Sequence, residues 1–159
     1  MEPEPTTALL ERAGVVDTVT RLFVNTDERN WKGVIDCFAD RVLFDMSSLS
    51  GSKPSRVSPK KIADQWESGL RGLTAVHHQI GNMLVEVEGA EAGAFCYATA
   101  THYYPNPTGN NTRTFVGTYD FHLVKVEDGW RIDMFRFNLK FTEGNALLSE
   151  LAKKGSKRE

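Results

Sequence analysis

The chain has 159 residues, 40% of them hydrophobic and 25% charged, values typical of one globular domain. Its net charge of −2 and scattered basic residues give no reason to expect binding to nucleic acid. No apolar run is long enough for a transmembrane helix, and the N-terminus lacks the basic start of a signal peptide. We therefore expect one cytoplasmic domain over 1–159, with no membrane partner and with disordered tails at 1–6 and 153–159.

The cysteines and histidines do not form a metal-binding pattern. Cys37 and Cys96 lie in apolar segments without CxxC spacing, which predicts small core residues in a reducing compartment. The histidines and carboxylates also lack the spacing of a ligand set. We expect no metal and no organic cofactor.

The first predicted helix, from about Thr7 to Asn25, is followed by a carboxylate on its apolar side. Steps of three or four residues back from Asp27 reach Phe23, Thr20, Val16, Ala13 and Leu9. A carboxylate in that position must be paired or protonated, because burying a lone charge is too costly. Histidine is able to share a proton with it, so the pattern predicts a proton-transfer site inside a pocket.

Asp27 has a second interpretation, because aspartate also begins helices. A short helix is predicted from Glu28 through Trp31, Val34 and Phe38, and Asp27 is a suitable N-cap for it. On this interpretation the carboxylate is purely structural.

The middle of the chain predicts a strand, a loop and a third helix. A short strand at 42–44 ends near Asp45, and the following Ser47–Pro59 is rich in Ser, Gly and Pro, which predicts a loop. The third helix begins at Ser58 with Pro59 in its first position. One side of that helix carries Ile62, Trp66 and Leu70.

From residue 76 the apolar period changes to about two, which predicts long strands. They are expected at Val76–Val87, Ala92–Tyr104, Arg113–Lys125 and Trp130–Phe141, before a final helical stretch. Long strands with short turns predict a curved antiparallel meander, and the fold class is α+β with the helices on one face. Three short helices cannot fill such a sheet, so we expect an apolar cavity at its mouth.

One predicted strand has a face of small residues that ends in a histidine. On that face lie Ala94, Cys96, Ala98, Ala100 and His102. Small side chains either admit a close-packed helix or leave space for a ligand, and both interpretations stand. On the opposite face, Tyr97 and Tyr103 mark a candidate subunit interface.

His78 is the candidate partner for Asp27. His77 and His78 point to opposite faces of a strand, so only one of them enters the pocket, and a bulge at Gly81 would exchange them. A buried structural histidine is the alternative. If His78 faces the pocket, its imidazole is suited to take a carbon-bound proton while Asp27 fixes the tautomer. Candidate donors to a substrate oxygen are His102, Tyr119 and Asn138.

Several segments together resemble one protein superfamily. They are Asp27-Glu28-Arg29-Asn30-Trp31, Cys37–Val42 with Phe44-Asp45, His77–Asn82, Gly117-Thr118-Tyr119 and Asp128–Ile132. From about residue 8 to 146 the chain resembles the SnoaL-like, nuclear-transport-factor-2-like superfamily with its cystatin-like fold. The resemblance implies a cone of curved sheet and three helices around a pocket. It does not imply one reaction, because members include dehydratases, isomerases, cyclases, hydrolases and binding proteins.

Within the superfamily, the chain is most similar to the branch of scytalone dehydratase, dehydrochlorinase and bile-acid dehydratase. These enzymes carry an Asp at the end of the first helix and a His four residues before an Asn, a pattern that Asp27, His78 and Asn82 match. The resemblance also implies a second pocket histidine at His102.

Two departures from scytalone dehydratase limit what the resemblance implies. Thr26 and Phe44 stand in regions where that enzyme has tyrosines, so its substrate is not carried over. Ketosteroid isomerase, another relative, has its base near Asp45 or Met46, but the registers differ by one residue.

The leading hypothesis is a cofactor-free lyase of the dehydratase type, with Asp27, His78 and His102 as catalytic residues. Its ligand is a small, largely apolar cyclic or aromatic molecule. The residues expected to bind it are Trp31, Phe44, Trp66, Tyr119 and Asn138. One alternative is an isomerase or cyclase with the same Asp–His pair. Another is a non-catalytic binding module, in which Asp27 caps the second helix and side chains fill the pocket. The resemblance further implies a homodimer or homotrimer formed through the outer sheet face.

Overall fold

The computed structural model describes residues 4–158. Its helices are α1 (Pro5–Asp27), α2 (Trp31–Asp36), α3 (Ser47–Ser50), α4 (Pro59–Leu70) and α5 (Leu148–Ser156). Its strands are β1 (Phe38–Asp45), β2 (Ser55–Val57), β3 (Ala75–Glu88), β4 (Glu91–Tyr103), β5 (Thr112–Val126) and β6 (Gly129–Gly144). Helices α1, α2, α3 and α4 precede the long strands β3 to β6, and α5 follows them, which confirms the α+β class.

The strands form one six-stranded sheet in the order β2-β1-β6-β5-β4-β3. From β3 to β6 each strand pairs antiparallel with the next, which confirms the predicted meander. β1 pairs parallel with β6, so the chain crosses the sheet before the meander begins. The inner face of the sheet, which bears most of the core, packs against α1, α2 and α4.

The buried face of α1 differs from the predicted stripe. Val15, Val19 and Leu22 are fully buried, whereas Leu9 is 67% exposed. Phe23, the last apolar residue of the predicted stripe, is also buried, so the predicted and observed faces overlap at the C-terminal end of α1. Asp27 therefore lies beside the buried face of α1, and its burial depends on what β3 places against it.

α1 ends, and α2 begins, later than the sequence predicted. α1 includes Asp27, and the side chain of Asn30 accepts a hydrogen bond from the backbone N–H of Gly33, 3.1 Å away, as the N-cap of α2. Between the helices, Arg29 adopts a left-handed conformation with φ of +56°. The interpretation of Asp27 as a helix cap is therefore wrong.

The predicted loop Ser47–Pro59 contains the one-turn helix α3 and the short strand β2. Both elements were too short to give a periodic signal in the sequence. At the end of this segment Ser58 caps α4 by accepting a hydrogen bond from the Lys61 N–H, and Pro59 is the first helical residue, as predicted.

The last helix, α5, includes residues 153–156 of the segment that was expected to be a disordered tail. α5 continues to Ser156 because Leu148 and Ala152 are buried against Leu73 and Val76. At the other end, residues 5 and 6 belong to α1, and residues 1–3 and 159 lie outside the described part. In residues 4–158 no helix combines the length and apolarity needed to cross a membrane.

Both cysteines are buried core residues, as the sequence predicted. Burial raises the pKa of Cys37 to about 11 and that of Cys96 to about 12. Thiols that stay protonated are poor nucleophiles and poor metal ligands, so neither cysteine is a candidate for chemistry.

Candidate active site

Asp27 and His78 form a hydrogen-bonded pair, which we call the inner pair. Asp27 is the last residue of α1, and His78 lies near the start of β3. One carboxylate oxygen, Oδ1, is 2.6 Å from Nδ1 of His78, and the other, Oδ2, accepts the backbone N–H of His78 at 2.7 Å. The side chains are 11% exposed for His78 and 18% for Asp27. The helix-borne carboxylate therefore holds both the ring and the backbone of the histidine.

This geometry determines which ring nitrogen of His78 is free. An ionised carboxylate only accepts hydrogen bonds, so the proton of the neutral imidazole is placed on Nδ1. Nε2 is left with an unshared electron pair. The ring of Phe23 packs beside the imidazole of His78, with ring centroids 5.1 Å apart, and His78 lines an internal cavity. An oriented imidazole with a free Nε2 is the arrangement of a general base.

The inner face of the cone encloses a cavity of about 220 Å³. Its walls are mostly aromatic and aliphatic, with polar groups at a few positions. They are formed by Phe23, Thr26, Met46, Leu49, Gln65, Trp66, Gly69, Leu70, His78, Ala100, His102, Phe115, Tyr119, Phe135 and Phe137. Within the described chain no lysine or arginine is among these residues, so the cavity favours an uncharged ligand.

His102 lines the same cavity from β4. Burial lowers the pKa of His102 to about 4, and the neighbouring His78 and Arg113 act in the same direction while Asp27 opposes them. The ring is therefore neutral near pH 7 and has one N–H to donate. No hydrogen bond joins it to another residue of 4–158, and the ring of Phe115 packs against it at a centroid distance of 5.0 Å.

The hydroxyl of Tyr119, on β5, has no hydrogen-bond partner among residues 4–158. The residue is only 5% exposed, and its ring packs between Phe23 and Phe137 at centroid distances of 4.9 Å. Every fully buried side-chain nitrogen or oxygen in the described chain has a hydrogen-bond partner, so this hydroxyl must be open to the cavity. Burial raises the pKa of Tyr119, which keeps the hydroxyl protonated and able to donate.

The small residues of β4 fit both interpretations given to them. Ala94, Cys96 and Ala98 pack in the core, whereas Ala100 lies in the cavity wall opposite His78 in the strand register. Small side chains thus admit close packing along most of β4 and leave space for a ligand at its end.

Two predicted binding residues, Trp66 and Tyr119, line the cavity, and three others do not. Trp31 is half-buried against the core, outside the cavity wall. Phe44 lies behind the wall, stacked on Phe135 at 5.2 Å. Asn138 points to the outer face, where its amide donates to Thr118 and Asp120.

Asn138 faces outward because of a bulge in β6. The register against β5 shifts between His122 and Leu123, next to Asp133. Trp130 and Ile132 are buried before the shift, and Phe135 and Phe137 after it, so the inward positions change from even to odd. Phe135 and Phe137 therefore line the cavity. Without the bulge, simple alternation would turn Asn138 toward it.

His77 is exposed, so His78 is the histidine that enters the pocket. The irregularity in β3 lies between Gly81 and Leu84, beyond both histidines, and does not exchange them. Asp45, in the region of the ketosteroid isomerase base, binds Ser47 and Arg136, and hydrogen bonds from Ser47 lower the pKa of Asp45. It does not line the cavity.

Several lining residues were missed. Thr26 and Gln65 lie one residue from predicted site residues, and their orientation depends on helix phase. Met46 and Leu49 belong to the turn around α3, which gave no signal.

The model of the SnoaL-like domain matches residues 7–136. Among curated protein sequences, none matches.

Solved structures give the same fold at low sequence identity. The Kfla4162 protein from Kribbella flavida is 22% identical, with a TM-score of 0.83 over 92% of this chain and 99% of that chain. A candidate scytalone dehydratase from Novosphingobium aromaticivorans is 15% identical, with a TM-score of 0.77 over 89% and 92%. Hexachlorocyclohexane dehydrochlorinase LinA-type3 from Novosphingobium barchaimii is 12% identical, with a TM-score of 0.71 over 90% and 95%. These likenesses confirm the predicted resemblance, and the chain belongs to the SnoaL-like domain family.

Proposed function

We propose that this protein is a cofactor-independent lyase of the dehydratase type, acting on a small, uncharged cyclic or aromatic hydroxyketone. The observation that carries the proposal is the inner pair, Asp27 and His78, beside an apolar cavity. The candidate scytalone dehydratase and the dehydrochlorinase share the fold, and both names describe eliminations.

The first step is removal of a proton from the carbon beside the substrate carbonyl. The free Nε2 of His78 takes this proton, and the ring becomes an imidazolium. The carboxylate of Asp27, 2.6 Å from Nδ1, stabilises the new positive charge and prevents the ring from turning. A positioned general base of this kind contributes about 10²–10⁴ in rate.

The negative charge that develops on the carbonyl oxygen needs hydrogen-bond donors. Tyr119 and His102 each present an unpaired donor to the cavity. Between apolar walls such a donor acts strongly, since it is already oriented before the reaction.

The second step expels the hydroxyl group on the next carbon. The imidazolium of His78 returns its proton from Nε2 to the departing hydroxyl, which leaves as water, and the carbon–carbon double bond forms. The substrate loses one water, and His78 ends the cycle neutral. The reaction therefore balances without a co-reactant.

The cavity suits one ring with substituents, or a small fused pair of rings. Its volume of about 220 Å³ exceeds the roughly 150 Å³ of an engineered apolar cavity that binds benzene. The carboxylate of Asp27 lies beside the cavity, where it binds His78, and this disfavours an anionic substrate group near His78.

The test is elimination from cyclic β-hydroxyketones such as 3-hydroxycyclohexanone and 3-hydroxy-1-indanone, followed by the absorbance of the conjugated product. We expect turnover by the natural protein, loss of it in His78→Gln, and unchanged turnover in His122→Gln, a matched substitution on the outer face. Equal activity of all three proteins would refute the proposal. A rearranged product without loss of water favours the isomerase or cyclase alternative.

We also propose that the outer sheet face forms a homodimer or homotrimer in the cytoplasm. Tyr97, Leu84 and Phe141 expose apolar surface there. Sedimentation equilibrium of the natural protein and of Tyr97→Glu tests this, with the variant expected to be a monomer. A monomeric natural protein contradicts the proposal.

A further inference from the structure

The turn after α1 contains a conformation that arginine rarely adopts. The N–H of Arg29 donates to the carbonyl of Thr26, and the N–H of Asn30 donates to that of Asn25. These two bonds form a Schellman motif, whose left-handed position is usually occupied by glycine. Here it is Arg29, with φ of +56°. Residues held in such a conformation at a cost often have a functional role.

The side chain of Arg29 reaches across to the entry of β3. Its guanidinium Nη2 donates to the carbonyl oxygen of Leu73 at 2.5 Å. Leu73 is only 3% exposed and packs with Val76 and Leu148, so this packing holds its carbonyl group in place. The bond therefore ties the end of α1 to the segment that leads into β3.

We infer that Arg29 is a positioning residue for the inner pair, an inference that rests on the proposed function. Arg29 follows Asp27 by two residues, and Leu73 precedes His78 by five. The hydrogen bond from Arg29 to Leu73 thus joins the segment that contains Asp27 to the segment that contains His78, close to the inner pair. It holds the carboxylate at the distance at which both its oxygens engage His78, while Arg29 itself does not line the cavity.

The chain offers a matched control for this bond. Arg12, within α1, donates from Nη1 to the carbonyl of Val85, within β3, at 2.8 Å. The bond type is the same and it also holds α1 to β3, but Val85 lies seven residues beyond His78. Arg12→Gln therefore reports the general effect of loosening α1 from β3.

The experiment compares Arg29→Gly, Arg29→Lys and Arg12→Gln. Glycine adopts the left-handed turn without strain, so Arg29→Gly keeps or raises resistance to unfolding while it removes the tie. Two readouts follow: the proton NMR signal of His78 Nδ1–H, and the deuteration of 1-indanone beside its carbonyl in D₂O. We expect faster exchange of the Nδ1 proton with water and an about tenfold lower maximal deuteration rate, with the half-saturating indanone concentration within about twofold of the natural value. Lysine also donates to a carbonyl, so Arg29→Lys restores most of both readouts.

Two outcomes overturn the inference. One is a natural Nδ1 signal and rate in Arg29→Gly, and the other is an equal loss in Arg12→Gln. If Arg29→Gly does not fold, the same comparison is made with Asn, which tolerates the left-handed turn, at position 29. The NMR readout does not depend on turnover. A disturbed signal in Arg29→Gly with no deuteration by the natural protein upholds the positioning role and refutes the proposed function.

Discussion

The molecule contains two histidine–aspartate pairs with the same bond length in different surroundings. In the inner pair, Nδ1 of His78 is 2.6 Å from Asp27, and in the outer pair Nδ1 of His122 is 2.6 Å from Asp133. The side chains of the outer pair are 37% and 30% exposed, against 11% and 18% for the inner pair. The hydrogen bond alone therefore does not distinguish a catalytic pair.

The two pairs differ in the surroundings of Nε2, the ring nitrogen that does not contact the aspartate. Nε2 of His122 is 3.5 Å from the carboxylate of Glu91, in a polar surface cleft that also includes Glu86 and Glu88. Nε2 of His78 is the ring nitrogen left for the apolar cavity. A base needs a free electron pair and space for a substrate beside it. Of the two pairs, only the inner pair combines a ring nitrogen without a hydrogen-bond partner in residues 4–158 with an apolar cavity.

The largest expected effect is on the carboxylates of the two pairs. Asp27→Asn removes the charge that stabilises the imidazolium, so we expect turnover of a cyclic β-hydroxyketone to fall by about 10²–10⁴. Asp133→Asn, the same change in the outer pair, leaves turnover within about twofold, since the bond is far from the cavity. Steady-state kinetics of both variants measure this contrast, and equal losses contradict it.

A smaller loss is expected when one oxygen donor is removed. Tyr119→Phe deletes only the hydroxyl, which makes no hydrogen bond within residues 4–158, so the fold is retained. We expect kcat to fall by about 10². Tyr97→Phe, on the outer face, is the control. An unchanged kcat in Tyr119→Phe assigns the donor role to another group.

The neutral state of His102 predicts a dependence of stability on pH. The pKa of His102 in the folded protein, about 4, lies below the usual value of 6.5. Between pH 4 and 6.5 His102 therefore binds a proton in the unfolded chain but not in the folded one. The free energy of unfolding therefore falls as pH decreases through this window, by up to about 1.4 kcal/mol per unit.

His102→Phe removes this contribution, so its stability falls less steeply with decreasing pH than that of the natural protein. Urea unfolding between pH 4.5 and 7 measures the difference. Parallel curves for the two proteins contradict a neutral, buried His102.

The smallest expected effect is on the stability contributed by the outer pair. Because His122 and Asp133 are both partly exposed, Asp133→Asn lowers the free energy of unfolding by about 1 kcal/mol or less. Thermal unfolding measures it. A much larger loss indicates that the bulge at Asp133, and not only the ion pair, depends on the carboxylate.

The sequence predicted the inner pair because both partners carry local signals. Asp27 stands beside the apolar side of a long helix, and His78 lies in a strand with a clear period of two. The predicted strands follow from the same alternation. The parallel pairing of β1 with β6 joins residues about 90 positions apart, such as Phe44 and Phe135. No local sequence pattern contains such a pairing.

The errors occur where a single residue changes the phase of an element. Because Arg29 adopts a left-handed turn, α2 begins later in the chain than predicted, and its N-cap is Asn30 instead of Asp27. The bulge beside Asp133 turns Asn138 out of the cavity. A left-handed arginine costs about 1–3 kcal/mol and persists only because the surrounding structure holds it. The bulge likewise depends on tertiary contacts, so neither feature has a reliable signature in the sequence.

The most direct test of the account is removal of a carbon-bound proton by His78. The exchange of the protons beside the carbonyl of 1-indanone for deuterium in D₂O, followed by NMR, measures this step without a leaving group. If His78 removes the proton, the natural protein and His122→Gln accelerate the exchange and His78→Gln does not. Exchange by His78→Gln at the natural rate, or none above buffer by the natural protein, contradicts it.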